Sequence, residues 1–141
     1  MRGHTLVELL FVLFLTGVTA ASVVPTARRQ RDRALVVGAR EAVVGLLAEA
    51  RLAAIESGSA SVRITVGPAK AEARAGGIPL RTAALGAEFG VTVGLSGAAT
   101  NVELAYDGLG LGRMASQTIT FRRGRATTEL VVSGYGRVTR R

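Results

Sequence analysis

Acid–base, nucleophilic and metal chemistry all need particular side chains at close quarters, and this chain has few of them. His4 is the only histidine and cysteine is absent, so there is no thiol nucleophile, disulfide or cysteine metal centre. Beyond Ser59 the acids are Glu72, Glu88, Glu103, Asp107 and Glu129. They fall on separate segments, and no local spacing sets two carboxylates at one substrate or gathers metal ligands. Gly108-Leu109-Gly110-Leu111-Gly112-Arg113 has the glycines of a phosphate-cradling loop. It matches neither the dinucleotide fingerprint nor the P-loop and reads as a glycine turn. The chain therefore reads as a non-enzyme, with no catalytic residue, metal site or cofactor.

Arginine is the residue type in excess. The formal net charge is +8, and Lys70 is the only lysine. Leu109 to Arg141 holds seven arginines against the single acid Glu129. Arg122, Arg123 and Arg125 flank an expected hairpin turn, and Arg137, Arg140 and Arg141 lie in the tail. Guanidinium forks bind phosphate bidentately. One reading of these residues is a solvated surface in an arginine-rich protein. The other is a phosphate track for a DNA backbone, provided the hairpin approaches the tail. Strand alternation would put Arg137 and Thr139 on one side and Arg140 on the other. With aromatics at 4 % of the chain, base stacking is scarce and such binding would be largely sequence-independent.

Glu8 is the remaining chemical feature, because it sits at the head of an apolar run. Leu9 to Val24 has no charged residue, but as a helix it is only about 24 Å long. Starting at His4 gives about 31 Å, enough to span a bilayer. A spanning helix must then take Glu8 into the membrane, where an ionised group needs a partner. No Lys or Arg stands at helical spacing from Glu8 within the run, so the partner is expected elsewhere. A cleaved secretory signal is the alternative, with Val18-Thr19-Ala20 as its small-residue site. The cluster Arg28, Arg29, Arg31 and Arg33 follows at once, and the positive-inside rule would keep it cytoplasmic.

Gly3, then His4-Thr5-Leu6-Val7-Glu8-Leu9-Leu10, resembles the type III signal of type IV pilins and type II secretion pseudopilins. The resemblance implies cleavage by a prepilin peptidase between Gly3 and His4, and N-methylation of His4, which replaces the family's usual phenylalanine. It places Glu8 as the fifth mature residue and Pro25 as the twenty-second, at the family's glutamate and helix-distorting proline. It also supplies the missing partner: Glu8 of one subunit would pair with the new amine on His4 of its neighbour in a growing filament. The topology implied is single-pass in the inner membrane, N-terminus cytoplasmic and C-terminal domain periplasmic, opposite to the positive-inside expectation. The subunit would later be filament-associated.

The elements that must carry these residues follow from periodicity. Ala27 to Ser57 reads as a second helical stretch, with Leu35, Ala39, Val43, Leu47, Ala50 and Ala54 on one amphipathic face. Gly38 and Gly45 would let a sheet approach closely, and Gly58 is the stop signal. From Ser61 the period becomes two, with Val62, Ile64 and Val66 facing inward. Residues 69–90 read as a weak strand and a loop. Later strands are expected at Val91–Leu95, Val102–Tyr106, Thr118–Arg122 and Thr128–Val132, the last two joined by a hairpin at Arg123-Gly124.

The C-terminal pieces Tyr106-Asp107-Gly108-Leu109-Gly110, Ile119 to Gly124 and Leu130 to Val138 resemble the GspH/FimT family of minor pseudopilins and minor pilins. The implied fold is α+β and pilin-like, a long N-terminal helix, membrane-spanning in its first half, packed on an antiparallel sheet. The expected organisation is a leader at 1–3, a transmembrane and assembly helix at 4–25, its amphipathic continuation at 26–58 and a β-rich domain at 59–141. The function implied is a minor pseudopilin of a type II secretion-like system, assembling into the pseudopilus for protein secretion. Its partners would be the prepilin peptidase, other pseudopilins or pilins, the inner membrane and secreted proteins. The alternative is a minor type IV pilin that binds DNA during uptake. Some relatives do so through a C-terminal Gly-Arg-x-Arg motif, here Gly136-Arg137-Val138-Thr139-Arg140-Arg141 with the second arginine displaced by one.

Overall fold

In a computed structural model of the chain, the described residues are 5–141, without the side chains of 19–25. Gly3, His4 and the Pro25 side chain thus lie outside them. The chain divides into a small unit, Met1–Arg31, and a larger one, Asp32–Arg141. Helix α1, Leu6–Ser57, contributes to both.

In the small unit the described apolar side chains are exposed from Leu6 to Leu15. Thr16, the one polar side chain described within the run, turns its hydroxyl back onto the helix. Its Oγ1 donates to the carbonyls of Val12 at 2.9 Å and Leu13 at 3.0 Å, which leaves less polar surface facing outward. Among the described residues, no helix is long and apolar enough to cross a membrane. The expected anchor, 4–25, includes residues outside them.

The larger unit is a helix packed on two antiparallel sheets, where the sequence suggested one. The first sheet has the order β3-β2-β1-β5 and the second β4-β6-β7-β8. The strands are β1 Ser59–Thr65, β2 Lys70–Ala75, β3 Ile78–Ala83, β4 Thr92–Leu95, β5 Asn101–Asp107, β6 Gln117–Arg123, β7 Ala126–Val132 and β8 Val138–Arg140. A five-residue helix α2, Leu85–Phe89, joins β3 to β4. One hydrophobic cluster takes side chains from α1 and from both sheets.

The helix face matches the expected stripe with a small rotation. Ala39, Val43, Leu47, Ala50 and Ala54 are buried, Leu46 joins them, and Val36 is buried while Leu35 is half-exposed. Three alanines on this face let the sheets come close. Gly38 is used differently from expectation: a Cβ there would meet the Phe89 ring at 3.0 Å, so it admits α2 and not a sheet. Gly45 faces open space.

The reading of 69–90 needs the largest correction. The segment forms the β2–β3 hairpin and α2. β2 reads Lys-Ala-Glu-Ala-Arg-Ala, and its inward residues Ala71 and Ala73 are fully buried. The period of two is present, but alanine is a weak strand former, so pairing with β1 decides the conformation. β3 is an edge strand, which is where Pro79 is tolerated. It bulges between Ala73 and Arg74 of its partner.

Candidate assembly and anion-binding sites

The N-terminus of α1 is built by Thr5 and Glu8. The Glu8 N–H donates to Thr5 Oγ1 at 3.4 Å, and the Thr5 N–H donates to Glu8 Oε2 at 3.3 Å. This is a reciprocal capping box, satisfying two of the orphan donors at a helix start. The signal Thr-x-x-Glu stands in the sequence, yet reasoning there fixed on Glu8 as a membrane carboxylate and missed its local role. The expected contact with a neighbouring His4 amine falls outside the described residues.

The arginines of the C-terminal third separate into engaged and exposed groups. Arg123 Nε donates to Asp32 Oδ1 at 2.9 Å and Nη1 donates to the Phe89 carbonyl at 2.7 Å. It ties the β6–β7 hairpin to both helices. Arg140 lies beside Glu41, with Nε 3.0 Å from Oε1 and Nη2 3.1 Å from Oε2. The hydrogen bond from Arg140 holds the Glu41 carboxyl below the usual carboxylate range against the opposing effect of burial, and Arg40 on the other side adds to the lowering. Arg122, Arg125, Arg137 and Arg141 are exposed.

Strand register places the exposed ones. Phe121 is buried, so Arg122 faces outward, opposite Thr127. Arg141 exchanges backbone hydrogen bonds with Glu129, two strands across and two residues along, about 12 Å from Arg122 by strand geometry. The hairpin and the chain end do approach. Arg137 does not join them: its backbone pairs with Ser133, at the far end of β7, about 20 Å or more from the hairpin tip. Arg140 shares the inward face with Leu130, its register partner, opposite in sense to Thr139, as alternation predicts.

The glycine-rich loop after β5 is a structural turn, with Asp107 as its hub. Asp107 accepts from the Leu109 and Leu111 N–H groups and from Arg113 Nε. Arg113 first, then the Leu111 N–H, depress its carboxyl pKa. Arg51 of α1 reaches over this region. Its Nε donates to the Gly110 carbonyl at 2.8 Å, and its guanidinium lies 5.5 Å from the Tyr106 ring centroid. Sequence reasoning singled out neither Arg51 nor the Asp32–Arg123 pair, because their partners lie far away in the chain. Among the described residues, no group of three His, Cys, Asp or Glu could hold a metal.

No protein-family model matches the chain, and no curated protein matches it. Among solved structures, the chain is similar to the type IV minor pilin FimU of Pseudomonas aeruginosa strain PAO1. The TM-score is 0.58 at 19 % identity, over 77 % of this chain and 90 % of that one. The fold is therefore that of a minor pilin, an α+β arrangement of a long N-terminal helix on antiparallel sheets.

Proposed function

We propose that this chain is a minor pseudopilin of a type II secretion-like system, of the GspH/FimT kind, which assembles with other pilin-like subunits. The observation that carries the reading is a minor-pilin fold whose long helix opens on Thr5 and Glu8, directly after the Gly3-His4 junction. Prepilin peptidase would cut that junction, and the new His4 amine, methylated or free, would pair with Glu8 of a neighbour. Opposite charges attract strongly in the low dielectric of lipid, so this pairing favours one docking register. Residues 4–25 anchor the subunit in the inner membrane, and the β-rich unit faces the periplasm and then secreted proteins.

The test is N-terminal sequencing of the membrane-held protein, together with filament incorporation of Glu8→Leu. The expected results are a mature chain beginning at His4 and an inserted variant that does not join filaments. Normal incorporation of Glu8→Leu would overturn the pairing.

DNA capture by a minor pilin is the second reading. The outward placement of Arg122, Arg125 and Arg141 near one another favours it. Arg137 lies apart, so the contact would cover few phosphates. Binding should then fall with a shallow slope against salt, and a flat response would remove it.

A further inference from the structure

The turn of the β6–β7 hairpin lies against the start of the larger unit's helix. Arg123 pairs with Ala126, so Gly124 and Arg125 form a two-residue loop, with Gly124 at φ +56°. That loop sits on Asp32. Besides the Arg123–Asp32 ion pair, a Cβ on Gly124 would stand 2.9 Å from Asp32 Oδ2. Arg33, Arg122 and Arg125 are exposed at this end. Among the described residues, none of the three has a carboxylate within ion-pair distance. The acids nearby are committed or displaced. Asp32 is held by Arg123, and Glu88 accepts from the Ala84 N–H at the start of its own turn. Glu129 lies two residues further along β7 from Thr127.

Chain continuity adds a second observation. Asp32 directly follows Arg31, and the uncharged run ends at Val24. Whatever angle the two units take, about eight residues separate that run from the hairpin's anchor, roughly 12 Å as helix. This is longer than the distance of about 8 Å over which physiological salt screens exposed charge, so the hairpin arginines would act on lipid only where the domain leans onto the bilayer. Arg28, Arg29 and Arg31 occupy the interval.

We propose that Arg122 and Arg125 of the hairpin, with Arg33, form a docking surface for the anionic phosphate headgroups of the membrane. The proposal rests on the reading of 4–25 as a membrane anchor. Guanidinium forks match phosphate oxygens bidentately, and basic groups next to a membrane segment are drawn to anionic lipid within a screening length. Arg123 is a positioning residue here: it holds the tip against the helix and does not face the lipid. Docking would favour the unassembled subunit lying on the bilayer, and entry into a filament would release it.

The chain has no cysteine, so Thr127→Cys gives the full-length protein a single site for a nitroxide beside Arg122. Tyr135→Cys, on the loop after β7, is the control position. Each labelled protein is reconstituted in vesicles of phosphatidylcholine alone or with phosphatidylglycerol, and collision with a neutral nickel chelate in the water is measured. With phosphatidylglycerol the Thr127→Cys label should lose about threefold of its accessibility or more, given a docking bias of about fivefold per arginine. Tyr135→Cys should not change. High salt should restore the signal, and so should Arg122→Gln with Arg125→Gln, two exposed positions whose replacement spares the core. Equal accessibility in both lipids, or protection that survives both salt and the double variant, would overturn the proposal. Protection produced only by added duplex DNA on phosphatidylcholine vesicles would also overturn it and assign the arginines to nucleic acid. Failure of the protein to float with either vesicle overturns the anchor reading as well, whereas flotation without a lipid effect overturns this proposal alone.

Discussion

At the head of α1, Thr5 and Glu8 close on each other, so Glu8 has a job inside its own chain as well as the one proposed between subunits. The two are separable. Thr5→Val removes the cap and costs the helix about 1 kcal/mol, but it leaves the carboxylate in place. It should reduce helicity at the terminus by circular dichroism in detergent while still entering filaments. Glu8→Leu should lose both. Elsewhere, Arg123 differs from its neighbours because its guanidinium is half-buried and satisfies two separate elements. Arg123→Ala should destabilise the larger unit by about 2 kcal/mol, whereas Arg122→Ala or Arg125→Ala should stay within about 0.5 kcal/mol. Urea denaturation midpoints compare them. Gly112 is constrained in another way, since a Cβ there would stand 2.5 Å from the Gly136 nitrogen. Backbone cannot yield as a flexible side chain does, so Gly112→Ala should cost about 2 kcal/mol or more by the same measurement. At this scale the cap was legible as Thr-x-x-Glu. The Asp32–Arg123 pair was not, because 91 residues separate the partners.

Among the elements, those with large apolar residues in alternation were the readable ones. β1 shows Val62 and Ile64 against Ser61 and Arg63, and β6 and β7 show Ile119, Phe121, Leu130 and Val132, all buried. β2 hides the same period behind alanines, and β8 is only three residues long. β8 is held partly by Arg140, which reaches Glu41 on α1. This tie has a pH signature. The carboxyls of Glu41, Glu72, Glu103 and Asp107 are all depressed in the folded chain. A depressed carboxyl contributes stability that is complete above its unfolded pKa and is lost as pH falls through its folded one. The denaturation midpoint should therefore hold from neutrality to about pH 5 and fall below about pH 4, near and under the ordinary carboxylate values. Arg140→Gln should make that acid limb shallower by removing the largest cause of the Glu41 shift.

For the molecule as a whole, a single hydrophobic cluster joins the helix to both sheets. The two sheets should accordingly unfold together, and amide signals from β1 and β6 should vanish at one denaturant midpoint. Two separate midpoints would show that each sheet holds half the helix independently. The sequence by itself determined the α+β class, the position of the apolar segment, the helix face and the hairpin at Arg123-Gly124. These rest on local periods and turn residues, which neighbours along the chain suffice to specify. Only the tertiary structure decided that the strands divide into two sheets, that 70–83 pair as a hairpin and that Arg137 stands apart from Arg122, Arg125 and Arg141. Those outcomes depend on strand register and on which backbones find each other across tens of residues. Alanine-lined strands and charged side chains leave that choice open until the core closes around them.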